Sequence, residues 1–207
     1  MSASVEELIQ RLAEPDANDA GLALGELVQR GLEAAPALRR ALASSEAGVR
    51  ALAAEGLGHI GDTAGADALA AAVEDGDERV RARAATALAQ LGDPRGVDAV
   101  IRTLDDYHDL LHSELSLSAY TLARLGPPVV PRVVALLGAG ETGSRTKAAW
   151  VLRTIASRMA QRDQSWDGLV RLLDAYDPSG PEAERNRAAA AVAGWVRARP
   201  DDWAASP

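Results

Sequence analysis

The chain has 207 residues, 47% of them hydrophobic and 25% charged, yet only 3% are aromatic and none is Phe; this excludes a disordered chain and predicts a helical core built from Ala, Leu and Val. The absence of Cys excludes disulfides, thiolate metal sites and a cysteine nucleophile. A net charge of −8 argues against a nucleic-acid partner, because phosphates call for clustered Lys and Arg.

The first residues, MSASVEELIQRLAEP, read as an acidic amphipathic helix rather than a signal peptide. Leu8 and Leu12 mark its apolar face, and Ala20 to Leu27 form the helix that follows. The second pair is marked by Leu38/Leu42 and by Val49 to Asp62, the third by Leu69/Val73 and by Val80 to Asp93. These last two segments, VRALAAEGLGHIGD and VRARAATALAQLGD, repeat at a shift of 31 residues, each closed by Gly-Asp. Val100/Leu104 with Ser118 to Gly126, Val133/Leu137 with Ala148 to Ile155, and Leu169/Leu173 with Ala188 to Val196 continue the ladder with more drift. That last segment is the longest nearly apolar run, far short of the roughly 20 residues of a membrane span, so no membrane partner and a cytoplasmic location are expected.

The expected fold is all-α: a right-handed α-solenoid of about six antiparallel helix pairs in a single repeat domain, residues 1–199. The pairs fall at approximately 4–31, 32–62, 63–93, 94–126, 127–160 and 164–199, with a tail at 200–207. Insertions set pairs four and six apart, at 105–113 and at 177–184, where Pro178, Gly180 and Pro181 mark a loop. In the first of these, His108 and His112 stand four apart among carboxylates; the segment reads as a polar turn in which Asp105 or Asp106 caps the next helix, and no metal is expected.

Asp77-Glu-Arg-Val-Arg81, the Ala-Ala that follows and Leu-Gly-Asp-Pro-Arg95 resemble the HEAT-like repeats of the phycobilisome lyases. The resemblance is sharp over residues 46–105 and implies first helices on a convex side and second helices lining a concave face. Arg50, Arg81, Arg145 and Arg185 share one place in their repeats, and Glu46, Asp77 and Glu141 stand four residues before three of them. They read as a structural ladder of caps and inter-repeat ion pairs.

The candidate binding residues come from the helical wheel. Setting the core side of the third pair's second helix on Val80, Ala84, Leu88 and Leu91 points Ala82, Thr86, Ala89 and Gln90 away from it. Carried through the repeat, the Thr86 position gives Glu55, Tyr120 and Trp150, and the Gln90 position gives His59 and Arg124. Lys147 and Arg153 fall on the same exposed arc. Tyr120, Trp150 and their cations have the composition of an interface hot spot, unless Trp150 turns sideways into the seam between pairs five and six. Trp195 reads as core, and Trp203 is placed to fold back over the last pair.

The function expected is a non-catalytic protein-interaction scaffold whose concave groove takes a partner protein or peptide bearing acidic and apolar groups, with no cofactor. The resemblance supplies one alternative, an accessory subunit of a bilin (tetrapyrrole) lyase. A HEAT-like DNA glycosylase using Trp150 and Glu55 is a weaker one, because the overall charge opposes it. No Ser-His-Asp set or phosphate loop is present to carry catalysis.

Overall fold

The computed structural model describes residues 3–14, 16–107 and 115–203, and the helices of the chain gather into two compact units, residues 1–107 and 108–207. Among the described residues there are twelve α-helices, linked by turns and short 3-10 segments.

The first unit holds α1 (Val5–Arg11), α2 (Ala17–Arg30), α3 (Ala35–Ala41), α4 (Ala47–Ile60), α5 (Ala66–Ala72), α6 (Glu78–Gln90) and α7 (Gly96–Arg102). Local chemistry fixes the ends. Ser4 and Glu7 form a reciprocal capping box at the start of α1. The Asp77 carboxylate accepts from the N–H groups of Arg79 and Val80 at the start of α6. Gly61 and Gly92, at φ 76° and 71°, let the following Asp62 and Asp93 donate back to the carbonyls of Leu57 and Leu88. The Gly-Asp signal in the sequence is therefore a helix stop in both repeats.

The markers of the first helices form the core. Leu8, Leu12, Leu38, Leu69, Val73, Val100 and Leu104 are buried, each Leu contributing about 1.5–3 kcal/mol on full burial. The second helices α2, α4 and α6 stack side by side, and α6 also packs on α5 and α7. Small residues permit this closeness. A Cβ on Gly58 would meet the Ala87 Cα at 2.9 Å, and one on Gly96 would meet the Ala89 backbone at 2.6 Å. Because α6 is enclosed on several sides, Ala82, Thr86 and Ala89 are buried rather than exposed, correcting the wheel; of that set only Gln90 reaches the surface.

The second unit holds α8 (Leu117–Leu125), α9 (Val130–Val134), α10 (Thr142–Ala160), α11 (Asp167–Asp174) and α12 (Glu182–Arg197). Helix α10 packs against α8, α9 and α11, while α12 packs on α11 and on α9. Val133, Leu137, Leu169 and Leu173 are buried as their repeat positions require. Trp203, in the turn that follows α12, folds back as expected: its indole N–H donates to the Val196 carbonyl at 3.1 Å and its ring lies edge-on to buried Trp166. Trp195 completes the cluster, with the Arg199 guanidinium 4.0 Å above its ring.

Candidate functional site

The arginine ladder is built the same way at Arg50 and Arg81. The Arg50 Nη1 donates to the carbonyls of Ser44 and Ser45, and its Nε and Nη2 hold both oxygens of Asp75 at 2.8 and 2.9 Å. Arg81 repeats this on the carbonyls of Asp75 and Gly76 and on both oxygens of Asp106, at 2.7 and 3.0 Å. Arg50 and Arg81 form inter-repeat ion pairs, but with acids 25 residues ahead, whereas Arg145 reaches the Pro178 carbonyl instead. Asp77 instead caps α6 and pairs with Arg79, while Glu46 and Glu141 occupy cap positions without a side-chain cap bond. Asp106 pairs with Arg81 rather than capping the following helix. The guanidinium of Arg50 holds the Asp75 carboxyl below the usual carboxylate range, and Arg79 does the same for Asp77.

On the exposed face of α4 and α6, Glu55 makes an ion pair with Arg83 and lies 3.6 Å from His59 Nε2, one turn on. Arg83 also stands 5.9 Å from the centre of the Tyr107 ring. Glu55 and His59 are thus brought together, joined by Arg83 and Tyr107, two residues that the repeat alignment passed over. Thr86 is 9% exposed and does not contribute to this face, and Gln90 sits over Gly58.

The aromatic pair occupies the second unit. Tyr120 on α8 and Trp150 on α10 meet edge to face, with ring centroids 5.2 Å apart and planes at 74°. Tyr120 is 41% exposed and Trp150 half-buried, so the pair presents a partly solvated aromatic surface. Trp150 thus meets α8 through the Tyr120 ring. Arg124, one turn beyond Tyr120, is exposed; Arg158 stands at the C-terminal end of α8, donating to the Ala123 carbonyl at 2.7 Å.

Two residues assigned to this arc belong elsewhere. Lys147 is 5% exposed, turned into the packed side of α10. Arg153 is half-buried and closes the seam to α11, donating to the carbonyls of Leu173 and Tyr176 beside Asp174. The hydroxyl of buried Tyr176 donates to the Leu137 carbonyl, and burial pushes its pKa up.

No group of three or more His, Asp or Glu is arranged for a metal among the described residues, and His108 and His112 lie outside them. None of the described helices is long and apolar enough to cross a membrane.

The chain is similar in structure to an engineered protein with which it shares 20% identity, over 95% of this chain and 98% of that one, at a TM-score of 0.45. A second engineered protein shares 17% identity over 95% and 100% of the two chains, at a TM-score of 0.43. A designed armadillo repeat protein in complex with a (KR)4 peptide shares 17%, over 93% and 99%, at 0.41. No curated protein matches the chain in sequence. The family model for HEAT repeats matches three overlapping windows, residues 5–76, 35–118 and 66–153. These windows cover both 31-residue repeats, the arginine ladder through Arg145 and the aromatic pair, and the chain belongs to the HEAT-repeat family.

Proposed function

We propose that the chain is a non-catalytic protein-interaction scaffold that holds a partner segment against the exposed face of α8 and α10. The observation that carries this reading is the Tyr120–Trp150 pair. Two large rings placed edge to face, with Tyr120 exposed, give rigid contact area at little entropic cost on binding. A core role does not require Tyr120 to face solvent.

Charge supports an acidic partner. Residues 1–107 carry ten Arg against nineteen Asp and Glu, while residues 108–207 carry twelve basic residues against eleven acidic ones. Within the second half, α8 and α10 contain Arg124, Arg145, Lys147, Arg153 and Arg158 and no carboxylate at all. Of these, Arg124 is exposed and has no ion-pair partner among the described residues, so it is available to a carboxylate next to an apolar anchor.

Selection from a displayed random peptide library tests this. Sequences enriched on the wild-type chain should combine acidic and apolar residues. Tyr120→Ala and Trp150→Ala should each weaken them at least about tenfold, some 1.4 kcal/mol, and Arg124→Ala should chiefly reduce the salt dependence of the association rate. Affinity unchanged by both aromatic substitutions would place the binding surface elsewhere.

A further inference from the structure

In every helix pair, the first helix and the turn that ends it show the same three positions to solvent. They lie two before, two after and five after the leading core marker, which is Leu8, Leu38, Leu69, Val100, Val133 or Leu169. In all but one of the pairs these exposed positions carry charge. The α5 set includes Asp67 and Glu74, that of α7 Asp98 and Arg102, and that of α11 Asp167 and Arg171; α1 and α3 contribute Glu6 and Arg40. In α9 the three are Pro131, Ala135 and Gly138, just as exposed and with no polar side chain among them. A face left to water has no reason to shed its charge, whereas the centre of an interface is depleted of it.

These three residues line one wall of a groove of about 550 Å³ between α9 and α12. The other wall comes from a change in packing. In the first unit the second helices stack on one another, α2 on α4 and α4 on α6, but α12 lies against α9, a first helix. Of its 16 residues α12 buries Ala189, Val192 and Val196, and Ala190 and Ala193 face the groove. Arg197 is the one charged residue lining the groove; it is exposed and has no ion-pair partner among the described residues. Neither wall supplies a carboxylate, because residues 127–139 and 185–197 contain no Asp or Glu.

We infer that the groove between α9 and α12 docks an amphipathic helix of a partner protein, apolar along the groove and carrying an Asp or Glu where it meets Arg197. The unpaired guanidinium beside an uncharged groove sets the sign of the partner's charge. Small residues on both walls let a helix backbone approach closely, in the helix-in-groove mode of recognition. Asn186 lines the same groove 11 residues before Arg197, about 16 Å along α12. Its amide can serve a backbone group left open at the end of the docked helix. A small amphiphile fits less well: its pocket would enclose it with large apolar and aromatic side chains, and no aromatic lines this groove. The groove shares no residue with the Tyr120–Trp150 face, and the inference stands whether or not that face binds.

A displayed library of helical peptides, selected on the wild-type chain and counter-selected on Gly138→Asp, tests this. A Cβ at Gly138 would meet nothing within 4 Å, and the same repeat position is Glu74 in the third pair and Asp105 in the fourth, so the variant should keep the wild-type circular dichroism. Peptides that bind the Tyr120–Trp150 face bind both chains and are removed by the counter-selection. The survivors should have one apolar face with an Asp or Glu at its end. Their affinity should fall at least about tenfold on Ala135→Glu, a second variant on the same wall, and about threefold on Arg197→Gln. Added to the isotope-labelled wild-type chain, they should shift the amide signals of Ala190 and Ala193. The absence of survivors, survivors rich in Lys and Arg, or affinity indifferent to Ala135→Glu would overturn the inference. So would dodecanoate shifting the Ala190 and Ala193 signals where no peptide does, which would make the groove a small-amphiphile site. Self-association of the wild-type chain that Gly138→Asp abolishes would overturn it in favour of a second copy.

Discussion

Arg81 engages all three guanidinium nitrogens, two on Asp106 and one on the Asp75 and Gly76 carbonyls in the turn before α6. Its side chain is 28% exposed and that of Asp106 21%, so the pair is neither fully screened nor fully desolvated. Exposed pairs contribute about 0–1 kcal/mol, whereas removing one member of a buried pair costs about 3–5 kcal/mol. Arg81→Ala should fall between, at about 2 kcal/mol, measured as a lower urea midpoint at unchanged slope. Arg79→Ala removes a local and more exposed contact to Asp77 and should cost about 0.5 kcal/mol or less. Equal costs would mean that the ladder has no special structural weight. The arginine positions were legible in the sequence because they repeat. Their acids were not, because the nearest carboxylates in sequence, Glu46 and Asp77, have the plausible spacing, while the geometry reaches 25 residues ahead into the next turn.

At the scale of helices, what decides packing is how closely two backbones approach. Gly96 opens α7 directly against α6, and an added Cβ would lie 2.6 Å from the Ala89 backbone, where no flexible side chain can yield. Gly96→Ala should therefore destabilise by about 1–3 kcal/mol despite the better helix propensity of Ala. Gly25, inside α2, has nothing within 4 Å of an added Cβ, so Gly25→Ala should stabilise by up to about 1 kcal/mol. Thermal midpoints moving in opposite directions would confirm the contrast. The same closeness explains where the helical wheel fails. A wheel assumes one core direction, which held for the first-helix markers except Leu42, which is half-buried. Helix α6 has neighbours on several sides, so Thr86 is buried, and Lys147 on α10 is buried for the same reason. Tyr120 and Trp150 were legible because large rings at positions that the repeat does not reserve for the core are conspicuous in a chain with so few aromatics. Their mutual edge-to-face contact was not, since it depends on the rotation of α8 against α10.

For the whole molecule, stability in a repeat protein is approximately a sum of repeats and their nearest-neighbour interfaces, so the two units can respond differently to one perturbation. Acid should separate them. Ser4 holds the Glu7 carboxyl below its ordinary value, Arg50 that of Asp75 and Arg79 that of Asp77, while Arg95 brings Asp93 down to about 2. All four lie in residues 1–107; among the described residues of the second unit only Asp163 is lowered, by the N–H of Ser165. A carboxyl whose folded pKa is lowered contributes stability that is full above its unfolded value, about 4, and is lost as pH falls through that value toward the folded one. The first unit should therefore lose its structure earlier as pH falls from about 4 to 2. The four tryptophans, at 150, 166, 195 and 203, all lie in the second unit and report on it alone. On acid titration, helical circular dichroism should begin to fall while tryptophan fluorescence still keeps its native maximum. Asp75→Asn should lower stability at neutral pH and flatten the acid dependence of the dichroism, because the amide retains the shape but has no proton to gain. Coincident dichroism and fluorescence curves, or fluorescence changing first, would show that the paired carboxylates of the first unit do not govern its acid stability.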